Sequence, residues 1–519
     1  MSASATSPTA LPRAASADIA LLLEGTYPYI SGGVSSWVHQ IITGFPDLTF
    51  AVVFLGSRPE DYGPVRYQLP PNLVHVEAHY LFEQDDPPAQ RTVRTDPAAF
   101  AHVKALHRHW QDPENTPAGT DPQALFGAVI DRFDDQLGEA HFLRGDQAWD
   151  HLCAQYEERC TDPSFVDYFW TVRTMHAPLW KLKRIADHLI PVKAFHTVST
   201  GYAGLLGAMC KRKHGRSLVL SEHGIYTKER KIDLFGARWI ADNRSVLQRD
   251  LTELSYFREL WIRFFQGIGR ACYESSDQII ALYEANRRRQ VADGAAGERT
   301  STIPNGIDIA RFAPLRALRP AQVPPVLCLI GRVVPIKDVK NFIRALRSVI
   351  NQLPEAEGWI AGPENEDPAY AEECKLLIAS LGLQDRVRFL GFQQLTELLP
   401  KVGLVVLSSI SEALPLVLLE GFAAGVPAVS TDVGSCRQLI EGLDDEDRAL
   451  GPSGRVVGLA DPKALASAAV ELLSDPAAWQ RASDAGVERV RRYYSLERML
   501  GRYRDVYERA LTWQASVSS

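Results

Sequence analysis

Four charged residues in the C-terminal half have the types and spacing to handle an activated phosphate ester. Arg332 and Lys337 flank the loop GRVVPIKD, which directly follows the apolar run VLCLI. A loop between a strand and a helix N-terminus already offers an anion backbone N–H groups and the positive end of a helix dipole. Two cations added there suit a diphosphate, above all one that gains charge as it leaves. Taken singly, an Arg and a Lys are equally explained by surface salt bridges. Glu412 and Glu420 are spaced Glu-x7-Glu in SEALPLVLLEGFAAGVP. Glu412 falls in the loop after VGLVVLSS, and Glu420 about one turn into the next helix. Carboxylates in such apolar surroundings need partners, because burying an unpaired charge is costly. Sugar or ribose hydroxyls would serve, as would Arg332 and Lys337. Two acids capping a helix are the plainer alternative.

All 13 histidines lie between His39 and His223, so imidazole-dependent chemistry must come from the N-terminal half. His223 follows the run SLVLS, and His196, in FHTVSTG, occupies a similar strand end. Either could equally be structural. In GTYPYISGG, Gly32 and Gly33 carry no side chain to keep the backbone from a ligand, although an ordinary turn uses the same residues.

The elements that must position these residues alternate between strand and helix. DIALLL (18–23) reads as a buried parallel strand, SSWVHQIITGF as an amphipathic helix and FAVVFL (50–55) as the next strand. From about 56 to 178 the alternation weakens into a largely helical insertion. His102, His107 and His109 fall there without Cys or carboxylate partners at metal-site spacing, so they read as an exposed polar helix. Strands resume at AFHT (194–197) and SLVLS (217–221). Phe257, Trp261, Phe264 and Phe265 then repeat at helical spacing, as a core face or else a sugar platform or partner surface. Arg287, Arg288 and Arg289 read as a solvated helix face. ALRPAQVPP (317–325) is the linker expected from its prolines. Beyond it a second series runs VLCLIGR, GWIAGP, VRFLGF, VGLVVLSS and PAVSTD, with helices between. The fold class is therefore α/β, with two doubly wound domains. The expected boundaries are a disordered tail (1–17), an N-terminal domain (18–316), the linker, a C-terminal domain (326–492) and a final helix (493–519) packing back on the N-terminal domain.

Composition narrows the function classes. The chain has 519 residues, 46% hydrophobic and 23% charged, with a net charge of −7. No basic excess is available for nucleic acid, and no apolar stretch is long enough to span a membrane. The N-terminal residues lack the apolar segment of a signal peptide. Seven scattered cysteines without Cys-x-x-Cys argue against a disulfide framework or structural zinc and fit a reducing cytoplasm. Asp445-Glu446-Asp447 is the one close acidic cluster of Asp-x-Asp form. It lacks a preceding strand and reads as a solvated loop, so no metal site is expected.

SEALPLVLLEGFAAGVPAVSTDVG, with GRVVPIKD and IPNGIDIARF, resembles glycosyltransferase family 4, the retaining nucleotide-sugar transferases of GT-B fold. LLLEGTYPYISGGVSSWVHQ and SEHGIYTKERKID resemble its Pel exopolysaccharide subgroup, and the likeness runs from about Asp18 to the end of the chain. The resemblance implies two Rossmann-like domains facing a cleft. Arg332 and Lys337 would hold the donor diphosphate, Glu420 the ribose hydroxyls, and Glu412 the transferred sugar. The amides of Leu416 and Val417 would meet sugar or phosphate, and Gly32 and Gly33 would close on the diphosphate. His223 matches the family's active-site histidine. Pro415 departs from the glycine that many members carry there, which leaves open how closely the backbone approaches the sugar. The implied activity is retaining transfer from a UDP-sugar to a growing exopolysaccharide, without cofactor or metal. With no evident N-domain carboxylate nucleophile, a front-face route is expected, the leaving phosphate helping to deprotonate the acceptor. The expected location is the cytoplasm, reaching the inner membrane through Pel synthase proteins. A GT-B-fold nucleotide-sugar epimerase and a non-catalytic nucleotide-sugar-binding protein are the alternatives.

Overall fold

The computed structural model describes residues 11–82, 93–112, 116–117, 119–236, 239–240, 242–243 and 254–513. Two compact units emerge, one of Met1–Thr302 with Arg504–Ser519 and the other of Ile303–Tyr503.

The first unit is built on a seven-stranded parallel sheet: β1 Ala17–Glu24, β2 Phe50–Gly56, β3 Leu73–Tyr80, β4 Val192–Thr197, β5 Ser217–Glu222, β6 Gln278–Ala281 and β7 Thr300–Thr302. Its order is β3-β2-β1-β4-β5-β6-β7. Central β1 pairs Ile19 with Phe50 on one side and Ala194 on the other. Ile19 through Leu23 are fully buried, which is why the strand reads as an unbroken apolar run rather than an alternation. The second unit carries a six-stranded parallel sheet: β8 Val326–Ile330, β9 Glu357–Ala361, β10 Val387–Gly391, β11 Leu404–Leu407, β12 Ala428–Thr431 and β13 Gly454–Val457. Its order, β10-β9-β8-β11-β12-β13, is the doubly wound one. Strand order reverses beside β1 in the first sheet and beside β8 in the second. Those switch points are where open α/β sheets bind ligands.

The structure corrects several expectations. Residues 56–82 are sheet and its connection, not insertion, because LVHVEAHY forms β3. The helical segment runs from Pro97 to His188, between β3 and β4. Residues 1–10 of the expected tail lie outside the described residues. Residues 11–16 run along β3, where Val76 N donates to Pro12 O (2.9 Å) and Ala14 N to His75 Nδ1 (3.2 Å). The chain leaves the first unit at Thr302, ahead of the 317–325 segment. Within that segment Arg319 donates to Leu399 O and Val402 O and covers the Trp479 ring.

His109 is buried, its ring between Thr116 Oγ1 (2.8 Å) and Glu274 Oε1 (3.3 Å), so the helix Pro97–Gln111 is no exposed polar face. Asp447 is likewise no solvated residue. It is fully buried and accepts from Arg489 Nε at 2.7 Å, and Arg489 is equally buried. Phe257, Trp261, Phe264 and Phe265 are core, which removes them as a partner surface. Arg287, Arg288 and Arg289 pair along their own helix with Glu284 and Asp293. All seven cysteines are free. Among the described residues no helix is long and apolar enough to cross a membrane.

Candidate active site

In the second unit the switch point lies between β8 and β11, and the four charged residues sit on the segments that follow these strands. The loop after β8 is tied to its neighbours by Gly331 N donating to Ala361 O (2.9 Å) and Val333 N to Pro363 O (3.0 Å). It ends at Asp338, whose left-handed backbone (φ 44°) starts the helix Val339–Ile350. The loop after β11 is stitched to it. Ile410 N donates to Ile336 O (2.8 Å) and Ser408 Oγ to Lys337 O (2.9 Å). Lys337 Nζ then donates to Glu412 Oε1 at 2.6 Å, and Ser409 Oγ reaches the same oxygen at 2.6 Å.

Lys337 and Glu412 are thus joined, whereas Arg332 is half exposed and pairs with Glu366. The Glu412 segment rests on Gly434 (φ +55°). A Cβ there would stand 2.3 Å from Glu412 O, so only glycine allows this approach.

Pro415 precedes the helix Leu416–Ala423, and no side chain caps its N-terminus. The half-buried Leu416 and Val417 therefore begin an uncapped helix, with its first amides toward the switch point. Glu420 lies one turn in. Burial pushes its carboxyl up to about 7, opposed by Arg311, and among the described residues its carboxylate has no hydrogen bond or salt bridge. Arg311 belongs to the short helix Ile309–Phe312 of IPNGIDIARF, started by Asp308. The motif pointed to this segment, but only the fold reveals Arg311 as the charge acting on Glu420.

In the first unit, Gly32 and Gly33 follow β1 at the exposed start of the helix Gly33–Gly44, which has no side-chain cap. A Cβ on either would meet nothing within 4 Å, and Gly32 is extended (φ 172°). Nothing within this fold therefore demands glycine at these positions. His223 follows β5. It is 8% exposed and packs edge-on against Trp37 at 4.6 Å. Its Nε2 is buried without a partner among the described residues. Burial pulls its pKa down to about 3, so the ring is a neutral imidazole. His196 is fully buried, with Nδ1 against Tyr507 Oη (2.9 Å) and Nε2 against Ser221 Oγ (2.8 Å). Both ring nitrogens are used in packing.

Two carboxylates do stand at strand ends of this unit. Glu24, ending β1, accepts from Tyr226 Oη at 2.8 Å. Glu222, ending β5, is 2% exposed and accepts from Tyr226 N (2.9 Å), Tyr273 Oη (2.7 Å) and Gln290 Nε2 (3.0 Å). Burial pushes Glu222 up to about 7. Glu222, next to His223 in the chain, is thus enclosed and has its carboxylate oxygens occupied by donors. LLLEG and SEHG carried both signals.

Both units have counterparts among known proteins. Residues 17–298 match the family described as "Domain of unknown function (DUF3492)", and residues 324–475 match "Glycosyl transferases group 1". A D-inositol 3-phosphate glycosyltransferase of Kineococcus radiotolerans is 30% identical over 222 residues, 39% of this chain and 51% of that protein. An exopolysaccharide phosphotransferase of Streptomyces coelicolor is 34% identical over 204 residues, 39% of this chain and 20% of that protein. The chain thus spans about half the length of the first relative and a fifth of the second. The crystal structure of Anabaena HepE with UDP and glucose aligns over 95% of this chain and 99% of its own, with a TM-score of 0.55 and 14% identity. Sucrose-phosphate synthase from Thermosynechococcus elongatus aligns over 95% and 98%, also with a TM-score of 0.55, at 17% identity. These likenesses establish the GT-B fold, two parallel-sheet Rossmann-like domains. With more than half of its length in the first match and its second sheet in the other, the chain belongs to the DUF3492 family and carries a glycosyl transferases group 1 domain.

Proposed function

We propose that the protein is a retaining hexosyltransferase that moves a sugar from a UDP-sugar to a growing exopolysaccharide of the Pel type, the role in which it resembles PelF. The observation that carries the reading is the pairing of Lys337 with Glu412 beside the uncapped N-terminus of Leu416–Ala423. A cation, a carboxylate and open amides at a switch point form a receptor for a sugar diphosphate.

On this reading the donor diphosphate takes Lys337 from Glu412. Glu412 is thereby released to face the transferred sugar, Arg332 turns from Glu366 to the phosphates, and Leu416 and Val417 offer their amides. Glu420 accepts from the ribose hydroxyls, and Gly32 and Gly33 admit the diphosphate to the backbone. The UDP preference draws on HepE, which was solved with UDP and with UDP-glucose. Charge building on the leaving phosphate is met by Lys337 and Arg332, which need no metal and no cofactor. His223, a neutral imidazole whose Nε2 has no partner among the described residues, acts at the sugar in the transition state. The leaving phosphate helps deprotonate the acceptor hydroxyl on the face it departs from, so no covalent glycosyl intermediate is involved. The polysaccharide acceptor and the docking to inner-membrane partners of a Pel synthase, from the cytoplasm, belong to the same proposal. Nucleotide release from a panel of UDP-, GDP- and ADP-sugars tests it. A GT-B-fold epimerase would interconvert the sugar without releasing net nucleotide, and a binding protein would show no turnover.

A further inference from the structure

The helical segment between β3 and β4, together with the helix Tyr256–Ser275, holds a cavity of about 160 Å³, with walls that include Phe100, Phe142 and Phe264. It is formed by helices Pro97–Gln111, Glu139–Arg144, Asp146–Arg159, Phe165–His176 and Tyr256–Ser275, and no residue lining it belongs to the candidate active site. A volume of this size takes about one benzene-sized ring.

Three imidazoles line it. The His107 ring lies 6.0 Å from that of His151 and 5.6 Å from that of His176. His176 Nδ1 donates to Val172 O at 2.7 Å, which fixes its tautomer and leaves Nε2 as an acceptor. His107 and His151 make no hydrogen bond among the described residues. Trp110 also lines the cavity, and its buried Nε1–H has no partner among the described residues. Burial holds His107 near 3 and His176 near 4, so these rings are neutral hydrogen-bonding groups. Nor do they form a metal centre, because among the described residues no three His, Cys, Asp or Glu side chains are placed to hold a metal ion.

The charge of the lining is one-sided. Arg159, Arg173 and Arg263 contribute to it and no Asp or Glu does, in a chain whose net charge is −7. Arg263 is paired with Glu259 (3.0 Å) and Arg173 Nη1 donates to Leu143 O (3.0 Å). Arg159 makes no such contact among the described residues. An apolar neutral guest would leave the ring nitrogens unmatched, and a cationic guest would meet the Arg159 guanidinium with no acid in the lining to offset it.

We propose that this cavity is a binding site for a compact apolar anion, a ring-sized body bearing one carboxylate, sulfonate or phosphate. The aromatic walls take the body, Arg159 meets the charge, and the unpartnered nitrogens supply hydrogen bonds.

The test titrates the full chain with benzoate, toluene and benzylamine, read by saturation-transfer NMR. Benzoate should bind at least about tenfold more tightly than either other probe. Arg159→Gln should reduce benzoate affinity to that of toluene and leave toluene unchanged. Ala148→Trp, which fills the cavity, should abolish benzoate binding while circular dichroism and UDP binding stay as in the wild type. If that variant fails to fold, Leu152→Phe takes its place. Equal binding of the three probes, no binding of benzoate, or benzoate binding that survives the filled cavity would each overturn the proposal.

Discussion

Lys337 Nζ lies 2.6 Å from Glu412 Oε1, so the cation of one motif is held by the carboxylate of the other. If the donor diphosphate must displace Glu412, removing that acid frees the cation. Glu412→Gln should therefore bind UDP at least as tightly as the wild type while turnover falls by about 10²-fold or more. Titration calorimetry beside steady-state kinetics separates the two effects. Weaker UDP binding in this variant would mean that Glu412 orders the site rather than competing within it.

Lys337→Ala and Arg332→Ala should each lower turnover on the order of 10²-fold, Arg332→Ala with little loss of thermal stability. Arg332 starts half exposed against Glu366, so its deletion leaves no unpaired buried charge. Wild-type turnover in the double variant would end the diphosphate assignment.

Glu420 and His223 should separate binding from chemistry. A charge-assisted hydrogen-bonded contact is worth about 1.5–3 kcal/mol, so Glu420→Ala should weaken UDP by roughly 10–150-fold. His223→Ala should cut kcat and leave UDP affinity within about threefold. Because burial holds His223 near 3, it stays neutral across the working range. The pH–rate profile between about pH 5 and 8 should keep its shape in that variant.

The two raised carboxyls set a pH dependence of stability. Glu222 and Glu420 are pushed from 4.5 up to about 7 in the folded chain. Between those values the native state keeps protons that the unfolded chain has lost, so stability falls as pH rises through the window. Glu222, the more enclosed, should account for about 1–3 kcal/mol of this slope. Chemical denaturation at about pH 5 and pH 7.5 should show it in the wild type and a flatter response in Glu222→Gln. An unchanged slope would mean that Glu222 is ionised throughout.

With the leaving charge assigned to Lys337 and Arg332, activity should persist in excess EDTA. Loss on chelation with recovery on adding Mg²⁺ or Mn²⁺ would show that a metal shares the diphosphate.

How much of this could be read in the residues depended on where their partners lie. The β8 and β11 motifs were legible because strand, loop and helix signals are contiguous, and the charged residues stand just past apolar runs. β3 was missed because LVHVEAHY lies at the sheet edge and alternates His and Glu with apolar residues, unlike the unbroken runs of the interior strands. Asp447 was misread because the group that allows its burial, Arg489, lies 42 residues away. His109 depends in the same way on Glu274. The pairing of Lys337 with Glu412 spans 75 residues, and spacing alone left a surface salt bridge equally open.

Nucleotide release from UDP-, GDP- and ADP-sugars, measured for the wild type, Lys337→Ala and Glu420→Ala, decides whether this site turns over a UDP-sugar. Turnover is expected with a UDP-sugar, with a drop of about 10²-fold in Lys337→Ala and a raised UDP-sugar requirement in Glu420→Ala. Release that is absent with every donor, or that is indifferent to both substitutions, would overturn the assignment of Lys337 and Glu420 to the donor site.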